Sequence, residues 1–424
     1  MNETLTRPYP NVSPKDYAGE IRFLVEVWLP YGASEIPVRI PEERLIDIFR
    51  TQKAPDLRDP LAEAKKLIES NERLQKKVRE AKRICITLGP CGNRQLAVDL
   101  VKVLHASVAT NSHGPTTILC TLGAVDLDPN LFSGTKIEDH HPASSDTVPI
   151  ENFKGGFSPQ LNSEFVNADL RIIVGELKPH HFLQYSGLCD IVFPGLASAN
   201  SVQSHLANRI GFSASDLGKE RIEITNLLGE TTALGVILDS EKAPVQVAFG
   251  TMTDCLSTLG EALEWIISRN VVKTADIVVM SAGGTPQDES LLQAVETFPA
   301  GLVALKKNGI LIVAAECEKG HGDTEFYEWC AERKEPHHLE ARLRHRFNYN
   351  GFKAAFLRRT LETHRIYLVS TIPDHYVENV FGMKAARTVN AALQSAQRSL
   401  GSDSTISVIS DASRIIPRQQ SQAQ

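Results

Sequence analysis

The stretch Leu170–Gly195, LRIIVGELKPHHFLQYSGLCDIVFPG, decides how this chain is read. Leu170 to Val174 is a short, continuous apolar run, the pattern of a strand buried on both faces. Two adjacent histidines, His180 and His181, stand just past that predicted strand end. A Ser-Gly turn (Ser186, Gly187) and a Pro-Gly turn (Pro194, Gly195) follow. In open α/β sheets, ligands sit outside the carboxyl ends of the strands. Imidazoles placed there can move protons near neutral pH or bind a metal. The plainer alternative is a histidine that caps a helix or bonds a loop carbonyl, and the residues around the pair must choose.

Outward from this segment the same rhythm recurs. Arg83 to Leu88 and Thr116 to Leu122 read as strands, Gln95 to Leu104 and Ser198 to Arg209 as helices, the last capped by Ser198 or Asn200. Pro60 to Lys82 has its apolar residues near a 3.6 period and predicts one helix. Ile222 to Asn226 and Leu234 to Leu238 predict strands, and Ser257 to Arg269 a helix. Near Arg269-Asn270 the rhythm restarts. Strands are expected at Ala275–Met280, Gly309–Ala315, Ile366–Ser370 and Thr405–Ile409. Helices are expected at Glu289–Thr297 with a continuation over Gly301–Lys306, at Thr324–Glu332 and at Ala385–Ser399. Before all of this, Ile21–Trp28 and Ile36–Ile40 flank a Leu29-Pro30-Tyr31-Gly32 turn and predict a hairpin. Alternating β and α signals imply an α/β protein of two domains, each a mostly parallel sheet flanked by helices, with a cleft between them. The expected division is a loose arm over 1–20, domains over 21–269 and 270–413, and a frayed tail over 414–424.

Composition narrows the class. The chain has 424 residues and a net charge of −6, with 42% hydrophobic and 23% charged residues. That balance gives no electrostatic reason to expect nucleic acid or an anionic membrane as partner. The seven cysteines form no C-x-x-C pair, which argues against a secreted disulfide framework. The amino terminus lacks the basic-then-apolar pattern of a signal peptide, and no apolar run reaches membrane-spanning length. The expectation is a cytoplasmic protein.

Four predicted strand-end loops bear chemistry. Gly89-Pro90-Cys91-Gly92-Asn93-Arg94 has glycines that permit close backbone approach and an arginine that can fork onto a carboxylate or phosphate. It lacks the Lys-Ser/Thr ending of a P-loop. Asp126 and Asp128 in the second loop suit a turn better than a cation. In the histidine loop, Asp190 is a carboxylate that can orient His180, and His205 on the next helix can face the same cleft or solvent. From the second domain come Ala282-Gly283-Gly284-Thr285-Pro286, leading to Gln293, and the Gly320-His321-Gly322 loop.

Taken together, these residues resemble the nickel-pincer-dependent lactate racemase family. The likeness runs through the LPYG turn, the Arg94 loop, NADLRIIVGELKPHHF (Asn167–Phe182), the SG and FPGLAS turns, SAGGTPQDESLLQAV (Ser281–Val295) and the GHG loop. It implies a two-domain α/β racemase of 2-hydroxy acids. A nickel-pincer nucleotide, tethered to a lysine and ligated by a histidine, would accept the C2 hydride, while histidines handle the hydroxyl proton. By the resemblance, Arg94 positions substrate, His180 is one acid/base histidine and Gln293 lies near the substrate. Ser186, Gly187, Gly92 and Asn93 would contact the cofactor. The second acid/base histidine corresponds to Val125, the tethering lysine to Asp190, and the nickel histidine to Leu206, with His205 one residue away as the metal candidate. A substrate-side lysine corresponds to Glu296, an acidic residue before the arginine to Cys91, and a tryptophan to Phe352. These departures predict an altered hydroxy acid substrate and a non-covalent cofactor. Two alternatives stand beside this expectation. One is a cofactor-independent enzyme that uses His180 and Asp190 for proton transfer, the other a non-catalytic small-molecule binder.

Overall fold

A computed structural model of the chain describes residues 23–52, 54, 57–208, 214–239 and 241–419. Strand Ile84–Leu88 is buried along its whole length. Its side chains alternate between two cores: Ile84, Ile86 and Leu88 face one, Cys85 the other. Strand Leu170–His180 does the same, with Ile172 and Val174 on one side and Ile173 and Leu177 on the other. A strand apolar on both faces must be covered on both, and helices provide the cover.

The first sheet has seven strands. Its path runs Pro244–Thr251, Thr231–Leu238, Leu170–His180, Ile84–Leu88, Thr116–Cys120, Lys136–Asp139, and Gln184–Gly187 pairs with Leu170–His180 off that path. Its inner pairings are parallel; Pro244–Thr251 and Gln184–Gly187 join antiparallel. The second sheet is wholly parallel, in the order Lys384–Ala385, Arg365–Val369, Leu305–Ala314, Ala275–Ser281, Ile406–Ile409, Leu45–Phe49. The architecture is the expected one, two mostly parallel sheets flanked by helices.

The sheets depart from the expected division at both ends of the chain. Strand Leu45–Phe49 lies in the second sheet beside Ile406–Ile409, although it falls within the range expected for the first domain. The hairpin Leu24–Tyr31/Ser34–Pro41 packs Val27, Leu29, Val38 and Ile40 into the second domain's core. Its turn is fixed there by Gly32, whose N–H donates to Asp288 Oδ2 at 2.8 Å. At the other end, Ile416–Gln419 is a strand parallel to Ser268–Val271, so this part of the expected tail is held at the interdomain connection. The expected arm over 1–20 and the last residues of the tail lie outside the described residues.

Other corrections are local. Residues 222–226 belong to helix Ala214–Leu227, where Arg221, Ile224 and Thr225 are buried at helical spacing. The predicted helix over Pro60–Lys82 is two, Pro60–Glu69 and Glu72–Glu80, with Asn71 accepting from Leu74 N to cap the second. Helix Phe298–Ala304 ends where strand Leu305–Ala314 begins, so Leu305 and Lys306 are extended rather than helical. Helices Pro336–His345 and Tyr349–Thr363 fill a region with no predicted element. All seven cysteines are free; burial pushes the thiols of Cys85, Cys120, Cys255 and Cys330 up to about 12, as for small apolar side chains.

Candidate active site

Strand Leu170–His180 does not stop at Val174. It runs six residues further because Gln184–Gly187 folds back on it, pairing Gln184 with His180 and Ser186 with Lys178. His180 therefore ends a strand, and His181 opens the turn of a hairpin instead of a loose loop. The hairpin's return depends on Gly187, at φ +85°, where a Cβ would run into the Glu176 carbonyl oxygen.

This hairpin walls a cavity of about 450 Å³ between the two domains. Glu176, Lys178, His180, His181 and Ser186 line it from the first domain. Pro286, Gln287, Gln293, Glu296 and Arg414 face them from the second side. His180 and Gln293 thus line the same interdomain cavity. Gln293 is held from both ends of its amide: Ser290 Oγ donates to Oε1 at 2.7 Å, and Nε2 donates to the Pro286 carbonyl at 3.1 Å.

Burial sets the chemistry of both histidines. Each is pushed down to about 4, against 6.5 for the free side chain, so each is neutral at neutral pH. For His180 the main opposing influence is the Glu296 carboxylate. His180 Nδ1 accepts from the Phe182 N–H at 3.1 Å, and Phe182 packs edge-on against Phe352 and Phe356. His181 Nε2 is buried without a hydrogen-bond partner. Ser186 Oγ is a second buried polar atom without a partner on this wall. Glu296 is clamped: Lys353 Nζ lies 2.5 Å from Oε1, and the Tyr349 hydroxyl donates to the same oxygen at 3.2 Å. Glu176 is raised by burial, and the Gly92 N–H donating at 2.7 Å opposes the rise.

Several expected residues stand elsewhere. Asp190 does not face His180. Its Oδ1 is ion-paired with the buried Arg221, and its Oδ2 accepts from the Gly187 N–H at 3.0 Å. The carboxylate that acts on His180 is Glu296, so the expected His180–Asp190 couple is not formed. Arg94 is exposed at the first residue of helix Arg94–Asn111 and is not among the residues that line the cavity. Asn93 caps that helix through Leu96 N and donates to the Lys242 carbonyl. Of that loop, Gly92 touches the cleft wall by donating its N–H to Glu176. His205 is buried between the Phe157 and Phe193 rings, its Nε2 donating to Glu220 at 3.1 Å, and does not line the cavity.

Sequence reading missed Glu176, Arg221, Lys353 and Arg414. Two left a trace. Glu176 is a charge two residues past the apolar run Leu170–Val174, and Arg221 shares a helical face with Ile224 and Thr225. Lys353 and Arg414 reach the site only through tertiary packing.

The two α/β domains enclose a cavity walled by two half-buried, neutral imidazoles and a clamped amide, and the proteins this chain is similar to are isomerases. The chain belongs to the lactate racemase family: models of the lactate racemase N-terminal and C-terminal domains match residues 31–215 and 271–416. It is 28% identical over 430 residues to the lactate racemase of Thermoanaerobacterium thermosaccharolyticum, covering 93% of this chain and 100% of that one. It is 24% identical to the lactate racemase of Lactiplantibacillus plantarum, over 73% of this chain and 76% of the relative. The solved apoprotein of the Thermoanaerobacterium enzyme superposes with a TM-score of 0.80 at 25% identity, covering 93% of this chain and all of the other.

The nickel-pincer nucleotide implied by the resemblance asks for a tethering amine, a metal-ligating imidazole and a place for its phosphate. The first is absent at residue 190, where the carboxylate is already held by Arg221. The second is not supplied to the cleft by His205, and among the described residues no group of three His, Cys, Asp or Glu side chains could hold a metal ion. The third is compatible with the unpartnered Ser186 Oγ and with Lys178, which sits across the strand pair from it. The residues present do not fit the tethered, histidine-ligated form.

Proposed function

We propose that this protein interconverts the stereoisomers of a 2-hydroxy acid in the interdomain cleft, with His180 at the hydroxyl and the cofactor held by contact alone. The observation that carries the reading is His180 itself. It is half-buried on the cavity wall, neutral, and fixed by the Phe182 N–H at Nδ1, so its Nε2–H is the end left to meet a ligand oxygen. A nickel-pincer nucleotide, when bound, supplies the electron sink that side chains lack for a C2 hydride. Gln293 offers a pre-oriented amide to the same ligand, and Ser186 and Lys178 offer a hydroxyl and an amine to an anionic group.

Glu296 shapes the substrate. A carboxylate beside His180 disfavours a second carboxylate on the ligand and suits a neutral, hydroxylated or cationic side chain. Asp190 determines how the cofactor is held, because a carboxylate has no amine to condense.

The test is elemental analysis and mass spectrometry of the protein co-expressed with the enzymes that make the cofactor. The account expects nickel and a cofactor-sized ligand in the native spectrum, with the bare chain mass after denaturation. A cofactor mass that survives denaturation would refute the non-covalent reading. Absence of both nickel and ligand would refute the cofactor altogether.

A further inference from the structure

We propose that Glu296 and Gln293 make the cleft selective for a polyhydroxylated 2-hydroxy acid, with Glu296 Oε2 accepting from, and Gln293 Nε2 donating to, hydroxyl groups carried beyond C2. This deepens the reading above and rests on it for the reaction, while the ligand class rests on the geometry of one helical face.

The two residues stand three apart on consecutive helical segments, Leu291–Ala294 and Val295–Thr297, so they share a face. Both line the cavity, whereas Leu291, Ala294 and Val295 are buried in the second domain's core. Each of the two side chains is half used by the fold. In Glu296, the Lys353 ammonium at 2.5 Å and the Tyr349 hydroxyl at 3.2 Å both meet Oε1. No described residue donates to Oε2, and 37% of the side chain stays exposed. In Gln293 the Pro286 carbonyl fixes the amide, because a carbonyl can only accept and the nitrogen must face it. The amide oxygen is taken by Ser290 Oγ. Nε2 carries two hydrogens, and the second is left over. The helical face therefore shows a ligand one acceptor and one donor.

Charge then separates the ligands that could use them. Lys353 is 4% exposed and does not line the cavity. Its Nζ also donates to the Leu292 carbonyl at 3.2 Å and lies 4.7 Å from the centre of the Tyr349 ring. Held there, it offsets the charge of Glu296 without touching the ligand. An ammonium on the ligand gains little Coulomb energy beside such a balanced pair. A second carboxylate would set oxygen against oxygen. A hydroxyl suits both groups, since it donates to Oε2 and accepts from Nε2. The Glu296 carboxylate also acts on the His180 ring, which places it in range of the carbons next to C2 when the C2 hydroxyl is at His180.

The test is titration calorimetry of the full-length, cofactor-loaded protein with three four-carbon acids: 2,3,4-trihydroxybutanoate, 2-hydroxybutanoate and 4-amino-2-hydroxybutanoate. The trihydroxy acid should bind at least about tenfold more tightly than either of the others, the fold-change of one hydrogen bond to a charged acceptor. A smaller margin over either one overturns the proposal. Gln293→Leu removes the donor, leaves the charge alone and keeps a good helix former. With an unchanged far-ultraviolet spectrum it should cut the margin over 2-hydroxybutanoate by about threefold or more. An unchanged margin overturns the role of Gln293. Lys353→Met removes the offsetting charge, so the amino-substituted acid should gain about fivefold on 2-hydroxybutanoate. No gain in a folded variant overturns the charge balance; if that variant does not fold, the wild-type margins and Gln293→Leu still decide. Chiral chromatography of the same acids separates the ligand class from the reaction. A tenfold margin without interconversion at C2 keeps the ligand class and removes the reaction. Interconversion of 2-hydroxybutanoate without the margin does the reverse, and binding of none of the three removes both.

Discussion

His180 and His181 illustrate how burial, not residue type, sets the charge of the site. Both are pushed down to about 4 in the folded protein, against 6.5 when unfolded. Between those values the unfolded chain binds protons that the native state refuses, so stability falls as pH drops from 6.5 toward 4 and levels off below. Thermal denaturation across this range should show that loss in the wild type. A double variant His180→Gln/His181→Asn should show a shallower slope, and an equal slope would remove these rings as its source. Asp190 makes a second residue-scale case. It pairs with Arg221, whose guanidinium has 4% side-chain exposure and also donates to the Leu183 and Tyr185 carbonyls. Asp190→Asn should destabilise the fold by about 2–3 kcal/mol in urea titration, somewhat under the cost of breaking a fully buried pair because Asp190 is itself partly exposed. A change under about 0.5 kcal/mol would show that Arg221 finds its partners elsewhere.

The hairpin Leu170–His180/Gln184–Gly187 is the element on which the site depends, and its legibility was partial. The apolar run from Leu170 announced a buried strand, and the histidines after it announced a site. The continuation from Gly175 to His180 was hidden because Glu176, Lys178 and Pro179 break the apolar pattern. It is antiparallel pairing with Gln184–Gly187 that makes them a strand. Helix Ala214–Leu227 misled in the opposite way: Ile222 and Ile224 alternate like a strand, but Arg221, Ile224 and Thr225 are the residues the fold buries. The strand Ile416–Gln419 was read as tail because four residues carry no periodicity worth the name. Arg418 bonds Glu264 at 2.6 Å, and Glu264 also accepts from the Tyr185 hydroxyl, next to Ser186. A chain ending at Ile415 should therefore be cleaved faster near Ser268–Val271 in limited proteolysis and lose activity with it. Unchanged cleavage would mean the strand is not what holds this junction.

At the scale of the whole molecule, alternation of strands and helices foretold two parallel sheets and a cleft between them. It did not foretell that strand Leu45–Phe49 joins the second sheet, since parallel pairing between residues 45 and 406 leaves no local signal. The site followed the same rule. Residues carried on one local segment, His180, Ser186 and Gly187, were legible. Partners delivered by distant elements, such as Lys353 against Glu296, left no local signal. Arg94 shows the converse, a suggestive motif residue that the fold leaves exposed outside the cavity lining. The cleft composition also yields a prediction on selectivity. Glu296→Lys should shift preference toward 2-hydroxy acids with a second carboxylate, read as a ratio of kcat/KM values between a dicarboxylic and a neutral hydroxy acid. An unmoved ratio would place Glu296 outside the specificity of the site.

The central claim is that the interdomain cleft interconverts hydroxy acid stereoisomers through His180. Chiral chromatography of a single enantiomer, lactate first and then a panel of neutral and cationic 2-hydroxy acids, incubated with cofactor-loaded protein, tests it most directly. The account predicts approach to a racemic or epimeric mixture with wild-type protein, and at least a hundredfold slower approach with His180→Gln at matched nickel content. No interconversion of any panel member by the loaded wild type, or an equal rate in the variant, would contradict it.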